Sequence, residues 1–364
     1  MTNDQPTPSS DPQPAENMLD RDDGPSKFNE LASFPIVGVG ASAGGLEAFT
    51  QLLTALPCDT GMAFVLVQHL APNHPSALAE ILSRTTKMPV TEVQGEPTVE
   101  PNHVYIIPPG RTMTISNGVL QLVPRETSGL HRPIDEFFTS LAEEWQHRVI
   151  GVVLSGTASD GTIGLEAIKA EGGITFAQDA TAQQEGMPHS AIASGCVDFV
   201  LAPFEIAREI VRIGREPFVL LTAKSCRIED EPGFVQIVKL LHHSTGVDFT
   251  HYKFNTLYRR VTRRMVLQKL TDLSQYIDFL EKMPSEVEAL FQDILISVTS
   301  FFRDPDAFEV LRTVVFPKLL VGKTRHDPVR IWSLACSTGQ EAYSLAMIYA
   351  EAADAAGSQA PLQV

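Results

Sequence analysis

Three residues whose side chains could together hydrolyse an ester each follow a short apolar segment of the chain. These residues are Ser42, His69 and Asp160. An unassisted hydroxyl is a poor nucleophile and needs a neighbouring base, and an imidazole can serve as that base. A carboxylate can orient the imidazole and stabilise its protonated form. The three residue types therefore indicate nucleophilic hydrolysis, in a chain order that differs from the Ser, Asp, His order of α/β-hydrolases.

The glycine-rich turn that holds Ser42 allows a second interpretation. Gly38-x-Gly40-x-x-Ala43 fits a dinucleotide-binding fingerprint, whereas Gly40-x-Ser42-x-Gly44 is similar to a nucleophile elbow. The dinucleotide fingerprint also needs an acidic residue about 20 positions later. The next apolar segment instead ends in Gln68-His69, so a nicotinamide-dependent oxidoreductase is the weaker hypothesis. A third interpretation gives Ser42, His69 and Asp160 only capping, packing and turn roles.

The elements that must position these residues alternate between short apolar runs and longer amphipathic stretches. The predicted strands are 36–39, 63–67, 104–107, 149–154 and 174–177, and the clearest predicted helices are 45–56 and 163–170. This alternation is typical of βαβ units around a parallel sheet. Because the carboxyl ends of parallel strands meet at one edge, we expect the three residues to converge there. The sequence predicts an α/β domain over residues 34–215 with a doubly wound, mostly parallel sheet.

The remainder of the chain divides into four further segments. Residues 1–33 are rich in proline and predicted to be a disordered tail. Residues 216–232 form a charged linker, and residues 233–312 have the helical spacing of a small all-α domain. Residues 313–364 contain a predicted strand (329–334), a loop (335–339) and a helix (341–355). One strand and one helix cannot complete a domain, so this last unit is expected to be incomplete.

Composition excludes several classes of protein. With 28 Lys and Arg against 44 Asp and Glu, the net charge of -16 repels nucleic acids and anionic membranes. No apolar run approaches the about 20 residues of a membrane span, and the amino terminus does not have the layout of a signal peptide. We therefore expect a cytoplasmic protein that is not an integral membrane protein. No pair of the four cysteines forms a CxxC motif, so neither a disulfide framework nor a metal site is predicted: Cys58, Cys196, Cys226 and Cys336.

The motifs around the three candidate catalytic residues occur in a characteristic order. They are Gly40-Ala-Ser42-Ala-Gly44-Gly45, Val67-Gln68-His69, Gly156-Thr-Ala-Ser-Asp160-Gly161, Ala177-Gln-Asp179 and Gly186-Met-Pro188. Residues 34–212 thereby resemble the catalytic domain of the chemotaxis receptor methylesterases. The resemblance implies that Ser42 is the nucleophile, His69 the general base and acid, and Asp160 the residue that orients His69. It also implies hydrolysis of methyl-esterified glutamates and deamidation of glutamines, without a cofactor.

A basic segment interrupts the otherwise acidic chain. Residues 251–270 carry six Lys and Arg and no acidic residue. In a helix, Leu257, Val261 and Met265 would bury one face, while Arg259, Arg260 and Arg263 would stand on another. Such a face is suited to an acidic partner. The alternatives are a solvated face or an intramolecular ion-pair surface, and no motif that reads nucleic acid accompanies it.

The end of the chain carries a second set of motifs. Ser297-Val-Thr299-Ser-Phe-Phe302-Arg303-Asp-Pro305 precedes Ile331-Trp-Ser-Leu-Ala-Cys-Ser-Thr-Gly339-Gln340-Glu341. Residues 233–360 thereby resemble the chemotaxis receptor methyltransferases, which use S-adenosylmethionine. The resemblance implies that Arg259, Arg260 and Arg263 face acidic receptor helices, and that six residues contact the cofactor: Thr299, Arg303, Ser337, Gly339, Gln340 and Glu341. Because the cofactor sheet of that family is longer, the resemblance implies the start of a Rossmann-like S-adenosylmethionine domain in an incomplete methyltransferase.

Together these features predict an esterase and deamidase fused to part of a methyltransferase. The expected partner is a methyl-accepting chemotaxis receptor or a similar acidic helical signalling protein. The alternative from another class is a non-catalytic receptor-binding adaptor or signalling scaffold, in which both halves bind receptors without turnover.

Overall fold

The fold is described from a computed structural model, which places residues 34–70, 76–125, 131–215, 231–295, 301–303, 305–336 and 339–364. The predicted tail and most of the predicted linker lie outside these described residues. The strands are β1 (Ile36–Ala41), β2 (Ala63–Gln68), β3 (Val90–Glu92), β4 (Val104–Ile106), β5 (Arg111–Ser116), β6 (Val119–Pro124), β7 (Val149–Val153), β8 (Ile174–Gln178), β9 (Phe199–Leu201), β10 (Val329–Arg330) and β11 (Leu362–Gln363).

Thirteen α-helices are present in the described part of the chain. They are α1 (Gly45–Ala55), α2 (Leu78–Leu82), α3 (Pro133–Trp145), α4 (Thr162–Ala170), α5 (Gly186–Ala193), α6 (Pro203–Gly214), α7 (Pro232–Thr245), α8 (Phe254–Leu267), α9 (Leu273–Lys282), α10 (Pro284–Ile294), α11 (Pro305–Val310), α12 (Phe316–Leu320) and α13 (Gln340–Ala355). None of them is long and apolar enough to span a lipid bilayer.

The first domain is built on a seven-stranded sheet in the order β3-β4-β2-β1-β7-β8-β9. All neighbouring strands in it pair in parallel. The central strands β1, β2 and β7 are buried on both faces except at Gln68, because helices cover the sheet on both sides, as the near-continuous apolar runs require. The predicted doubly wound α/β fold is therefore confirmed. The antiparallel hairpin β5–β6 was not predicted.

Two apolar clusters fill the space on either side of this sheet. Phe49 of α1 and Ile210 of α6 belong to one cluster, and Phe138 of α3 and Ile168 of α4 belong to the other. Alternate residues of a strand point to opposite faces, so Val37 and Val39 enter the first cluster while Ile36 enters the second. The carboxyl ends of β1, β2 and β7 are thereby fixed relative to one another.

Helices α7 to α10 surround a separate core and form the predicted small all-α domain. Phe234, Leu241, Leu257, Tyr276 and Leu290 are buried in this core. Helix α8 contributes Leu257, Val261 and Met265, as its spacing predicted. A fourth cluster joins Phe308 of α11 with α12 and α13, so residues near 308 pack with the last unit although the sequence assigned them to the helical domain.

The last unit differs from the prediction in its strand. The predicted strand 329–334 is limited to Val329–Arg330, which pairs in parallel with β11 alone. The N–H of Ile331 still donates to the carbonyl of Gln363 at 2.9 Å, but beyond it the side chains of Trp332 and Leu334 are 85% and 66% exposed. An apolar run therefore predicted a longer strand than the available pairing supports. Helix α13 begins at Gln340, one residue before the predicted start.

Candidate active site

Ser42 is the first residue after β1, in the short turn that leads into α1. Its backbone N–H donates to the carbonyl of Ser155 at 2.9 Å, and its own carbonyl accepts from the N–H of Gly45 at 2.9 Å. The left-handed backbone conformation falls on Gly44 (φ 80°) rather than on the serine. Ser42 therefore lies beside the positive end of the α1 dipole, and these two hydrogen bonds fix the backbone that carries its hydroxyl.

His69 occupies the corresponding place after the neighbouring strand. Strands β1 and β2 pair in parallel with Ala41 opposite Gln68, so Ser42 and His69 are the next residues of two adjacent strands. Neighbouring strands lie about 4.8 Å apart. The parallel register thus brings Ser42 and His69 to the same edge of the sheet.

Asp160 reaches the same edge from the loop between β7 and α4. Its Oδ2 lies 2.7 Å from Nε2 of His69, and the exposed fractions of the two side chains are 4% and 30%. A carboxylate at this distance holds the proton on Nε2, which leaves the lone pair of Nδ1 to accept a proton from the serine. Among the described residues no hydrogen bond joins the Ser42 hydroxyl to His69, and such bonds are often long when no substrate is bound.

The amino terminus of α3 fixes the carboxylate of Asp160. The backbone N–H groups of Ile134 and Asp135 donate to its two oxygens at 3.1 and 2.9 Å, where the helix dipole favours negative charge. In return, the carboxylate of Asp135 accepts from the N–H groups of Gly161 and Gly164 in the first turn of α4, both at 2.9 Å. Each helix start therefore binds a carboxylate from the other, and this reciprocal clamp sets the position of Asp160.

The sequence prediction missed Asp135, although a signal for it exists. Pro133 at the first position of a helix and an acidic residue two positions later are typical of a helix amino terminus. It also missed His131, whose ring centroid lies 6.3 Å from that of His69. Burial, together with the charges of Arg125 and His69, lowers the pKa of His131, so His131 is favoured in its neutral form beside His69 and Asp160.

A buried polar layer supports the turn of Ser42 from below. The hydroxyl of Ser155 donates to the carbonyl of Ala43 at 2.8 Å, and its backbone N–H donates to the side chain of Gln178 at 2.9 Å. Ser155 and Gln178 are 1% and 3% exposed. Because an unsatisfied buried polar group is costly, such a connected layer defines one geometry for the loop.

Burial makes Asp135 a pH-dependent element of the clamp. It raises the pKa of Asp135 from 3.8 to about 6, and the charge of Asp160 adds to the rise. Between these two pH values the folded protein keeps a proton that the unfolded chain releases, so stability falls as pH increases through the window. We predict that Asp135→Asn, which mimics the protonated form, unfolds less readily at pH 8.

The expected gain is up to about 3 kcal/mol, since the net pKa rise of about two, which already includes the opposing charge of Arg132, corresponds to about 3 kcal/mol. Urea unfolding of both proteins from pH 4 to pH 8 would measure it. The control Asp135→Ala deprives the buried N–H of Gly164 of its acceptor, while the N–H of Gly161 keeps Asp160, and should be destabilising by about 1–3 kcal/mol. Equal losses in the Asn and Ala variants would contradict the raised pKa.

The structure does not present the predicted receptor-docking arginines to solvent. Arg260 and Arg263 are 7% and 2% exposed. Arg259 donates to Glu171 at 2.9 Å, Arg260 donates to the carbonyls of Lys169 and Ala170, and Arg263 binds Asp198. Of the alternatives that the sequence left open, the intramolecular ion-pair surface is the one observed, because the acidic groups that meet this face belong to the same chain.

The predicted cofactor contacts are only partly within the described residues. Thr299 and Ser337 lie outside them. Gly339 has φ 99° at the start of α13, and Glu341 accepts from the hydroxyl of Ser333 at 2.9 Å. The N–H of Phe302, next to Arg303, donates to the hydroxyl of Ser344 at 2.9 Å, and this hydroxyl donates to the carbonyl of Gln340 at 2.8 Å. The structure thereby brings the Arg303 segment and the Gly339–Glu341 loop together.

This arrangement fits the small-residue loop that a nucleoside cofactor needs, because a glycine at a helix start lets a ligand approach the backbone. A side chain at Gly339 would be strained by its positive φ and would lie 3.3 Å from the ring of Tyr343. For metals, the described residues contain no cluster of three or more His, Cys, Asp or Glu side chains that could hold an ion.

Comparison with family models divides the chain into three matched regions. Residues 37–210 match the family model of CheB methylesterase. Residues 232–295 match the all-alpha domain of CheR methyltransferase, and residues 297–362 match its SAM binding domain.

Individual relatives match different lengths of the chain. The chain is 38% identical over 310 residues to an uncharacterized 104.1 kDa protein of Rhodobacter capsulatus, which covers 79% of this chain and 33% of that protein. It is 38% identical over 190 residues to protein-glutamate methylesterase/protein-glutamine glutaminase 2 of Burkholderia lata, covering 51% of this chain and 56% of that protein. The chain thus spans less than two thirds of either relative.

Among solved structures, the crystal structure of the Thermotoga maritima CheB methylesterase catalytic domain is 30% identical, with a TM-score of 0.47. The similarity covers 50% of this chain and 100% of that domain.

Proposed function

Because the chain joins a domain of the CheB methylesterase family to the all-alpha and SAM binding domains of the CheR methyltransferase family, we propose that Ser42, His69 and Asp160 hydrolyse methyl-esterified glutamate side chains on a chemotaxis receptor. The same residues would deamidate glutamines at such positions. The observation that carries this proposal is the 2.7 Å contact between His69 and Asp160 beside the strand end that bears Ser42.

In the first half of the reaction, His69 takes the proton of the Ser42 hydroxyl through Nδ1 while the oxygen attacks the ester carbonyl. The imidazole then carries a positive charge, and the buried carboxylate of Asp160 stabilises it through Nε2. His69 returns its proton to the leaving oxygen, methanol departs and an acyl-serine remains. In the second half, water loses a proton to His69 and attacks the acyl group; the bond to the Ser42 oxygen breaks, His69 returns the proton to that oxygen, and glutamate is released.

The negative oxygen that develops during each attack needs fixed donors. The N–H of Ser42 is engaged by the carbonyl of Ser155, and the N–H of Gly156 by that of Gln184. The next N–H groups after the nucleophile belong to Ala43 and Gly44, and neither has an acceptor among the described residues. They precede α1, so the helix dipole strengthens them as donors, and we assign the oxyanion to this pair.

An amide would follow the same route, with ammonia as the leaving group in place of methanol. The proton that His69 delivers matters more in this case, because an amide nitrogen does not leave as an anion. Deamidation of glutamine should therefore depend on the contact between His69 and Asp160 at least as strongly as ester hydrolysis does.

The transferase part of the chain is assigned a cofactor class only. S-adenosylmethionine, when bound, supplies an activated methyl group. The residues that would hold it are Arg303, Gly339, Gln340 and Glu341, together with Thr299 and Ser337. The geometry that supports this assignment is the contact of the Arg303 segment with the start of α13.

A serine-directed fluorophosphonate probe separates the esterase from a non-catalytic adaptor. We expect the full chain to be labelled at Ser42, because an activated serine attacks the phosphorus and loses its proton to His69. Peptide mass analysis would locate the label, and incubation with a methylated receptor fragment should release methanol. An unlabelled Ser42 in a chain that binds the receptor fragment tightly would support the adaptor instead.

A further inference from the structure

The basic helix α8 has two buried faces that belong to different domains. Its apolar face, with Leu257, Val261 and Met265, lies in the core of the helical domain. Its basic face, which we define as Arg259, Arg260 and Arg263, lies against the esterase domain. The chain therefore supplies an internal partner for the segment in which its positive charge is most concentrated.

The surface that receives the basic face is the amino-terminal edge of the esterase sheet, formed by the end of α4 (169–171), Gly173 and Asp198. This edge lies opposite the catalytic edge, since Gly173 and Asp198 immediately precede β8 and β9. Arg260 donates to the carbonyls of Lys169 and Ala170, the last residues of α4. The carboxyl end of a helix carries partial negative charge, so carbonyls and carboxylates together make this edge complementary to guanidinium groups.

Arg263 is the central contact of the interface. It donates from Nε to the carbonyl of Gly173 at 3.1 Å, binds Asp198 of the esterase domain, and binds Asp293 of its own domain at 2.6 Å. Its side chain is 1% exposed. Such a fully buried ion pair is costly to break from one side only, because the remaining charge stays desolvated.

The hydrogen bonds of the interface do not fully offset the cost of burying Arg260. The Nε of Arg260 is buried and has no hydrogen-bond partner among the described residues. Burial, with the charge of Arg263, lowers the pKa of Arg260 to about 10. An unsatisfied donor and neighbouring like charges both cost free energy, so this contact is less favourable than its number of hydrogen bonds suggests.

Among the described residues, the apolar cluster of the esterase domain includes α8 only at the end of the helix, through Val266 and Leu267. Val266 is 2% exposed and belongs to an apolar cluster of the esterase domain, and its carbonyl accepts from Arg212 of α6 at 3.0 Å. The contact is therefore mainly one of charge and hydrogen bonding, which resembles separable interfaces between domains more than a shared core.

From these observations we propose that the amino-terminal edge of the esterase domain is a docking surface for the basic face of α8 and masks it from acidic polypeptides. An acidic partner and the esterase domain would use the same guanidinium groups and so exclude each other. The helical domain would accept such a partner only after the interface opens. This inference concerns binding and is independent of whether Ser42 is catalytic.

The test changes the esterase side only and leaves α8 intact. Glu171→Arg reverses the partner of Arg259. Asp198→Asn can keep an oxygen toward Thr175, to which Asp198 is bonded at 3.0 and 2.9 Å, while its amide nitrogen meets the donors of Arg263. The double variant should open the interface in the full chain. Glu143→Arg with Asp59→Asn makes the same change in net charge at two exposed positions away from it and is the matched control.

Two measurements on the full chain decide the proposal. Hydrogen exchange of the backbone in α8, with the scattering radius, reports opening, and titration with poly-L-glutamate reports access to the basic face. We expect the double variant to be more expanded and to bind poly-L-glutamate at least about tenfold more tightly than the wild type, because the competent fraction of a masked site scales its apparent affinity. The control variant should match the wild type in both.

Each other result overturns the proposal. An expanded double variant with unchanged affinity would show that the basic face does not recognise acidic polypeptide. Equal tightening in the control variant would assign the effect to net charge. An unchanged radius and unchanged exchange in the correctly folded double variant would show that Glu171 and Asp198 do not hold the interface.

Discussion

Replacing Ser42 with alanine is expected to lower methanol release from a methylated receptor fragment by about 10⁴-fold or more, since removing the nucleophile of a triad leaves only binding and oxyanion stabilisation. The substitution deletes one oxygen on a half-buried residue whose backbone bonds to Ser155 and Gly45 remain. The fold should therefore be retained, and the loss should appear in kcat more than in KM.

A matched serine elsewhere in the domain provides the control. Ser116→Ala removes a hydroxyl from the end of β5, in the hairpin outside the main sheet. Its methanol release should equal that of the wild type, with the same melting temperature for all three proteins. If the Ser42 variant turned over substrate at the wild-type rate, the nucleophile would have to be another residue.

Replacing Asp160 with asparagine is expected to reduce kcat by about 10⁴-fold. Two effects act together. The amide no longer holds the proton on Nε2 of His69, so the tautomer with a free Nδ1 lone pair is not favoured. The oxygens of Asp160 also accept from three backbone N–H groups, those of Ile134, Asp135 and Gly161, and an amide NH₂ cannot replace an acceptor.

The two effects in the Asp160 variant can be separated. Loss of the backbone hydrogen bonds to Asp160 should lower the melting temperature. A shift of the His69 proton from Nε2 to Nδ1 should not lower it. The fluorophosphonate labelling rate at Ser42 should fall with kcat, because both need the neutral imidazole in the correct orientation. Unchanged labelling with a reduced melting temperature would make Asp160 a structural residue and leave His69 to act without it.

The sequence could predict that Ser42 and His69 reach one edge of the sheet, because this inference uses only the ends of two strands. Ser42 and His69 follow apolar strands, and in a parallel sheet the ends of such strands meet regardless of what lies between them. The strand register determines which side chains meet at that edge. Ala41 pairs with Gln68, and a slip by one residue would turn each side chain of the strand to the other face. The turn chemistry of Gly44 likewise agrees with its observed positive φ.

The clamp and the domain interface were not predictable in the same way. Asp135 and Asp160 are 25 residues apart, and which helix start meets which loop depends on how α3 and α4 pack. For the basic face, charge pattern predicts an acidic counterpart but not whether that counterpart lies in the same chain. The carbonyls at the end of α4, which bind Arg260, have no sequence signal at all.

Strand β8 extends from the domain interface to the residues that support the turn of Ser42. The carbonyl just before it accepts from Arg263, while its last residue, Gln178, accepts from the N–H of Ser155, which supports the turn of Ser42. Its five residues extend about 17 Å at about 3.3 Å each. The domain interface and the support of the Ser42 turn are therefore about one strand length apart, so opening the interface leaves the bond between Gln178 and Ser155 in place.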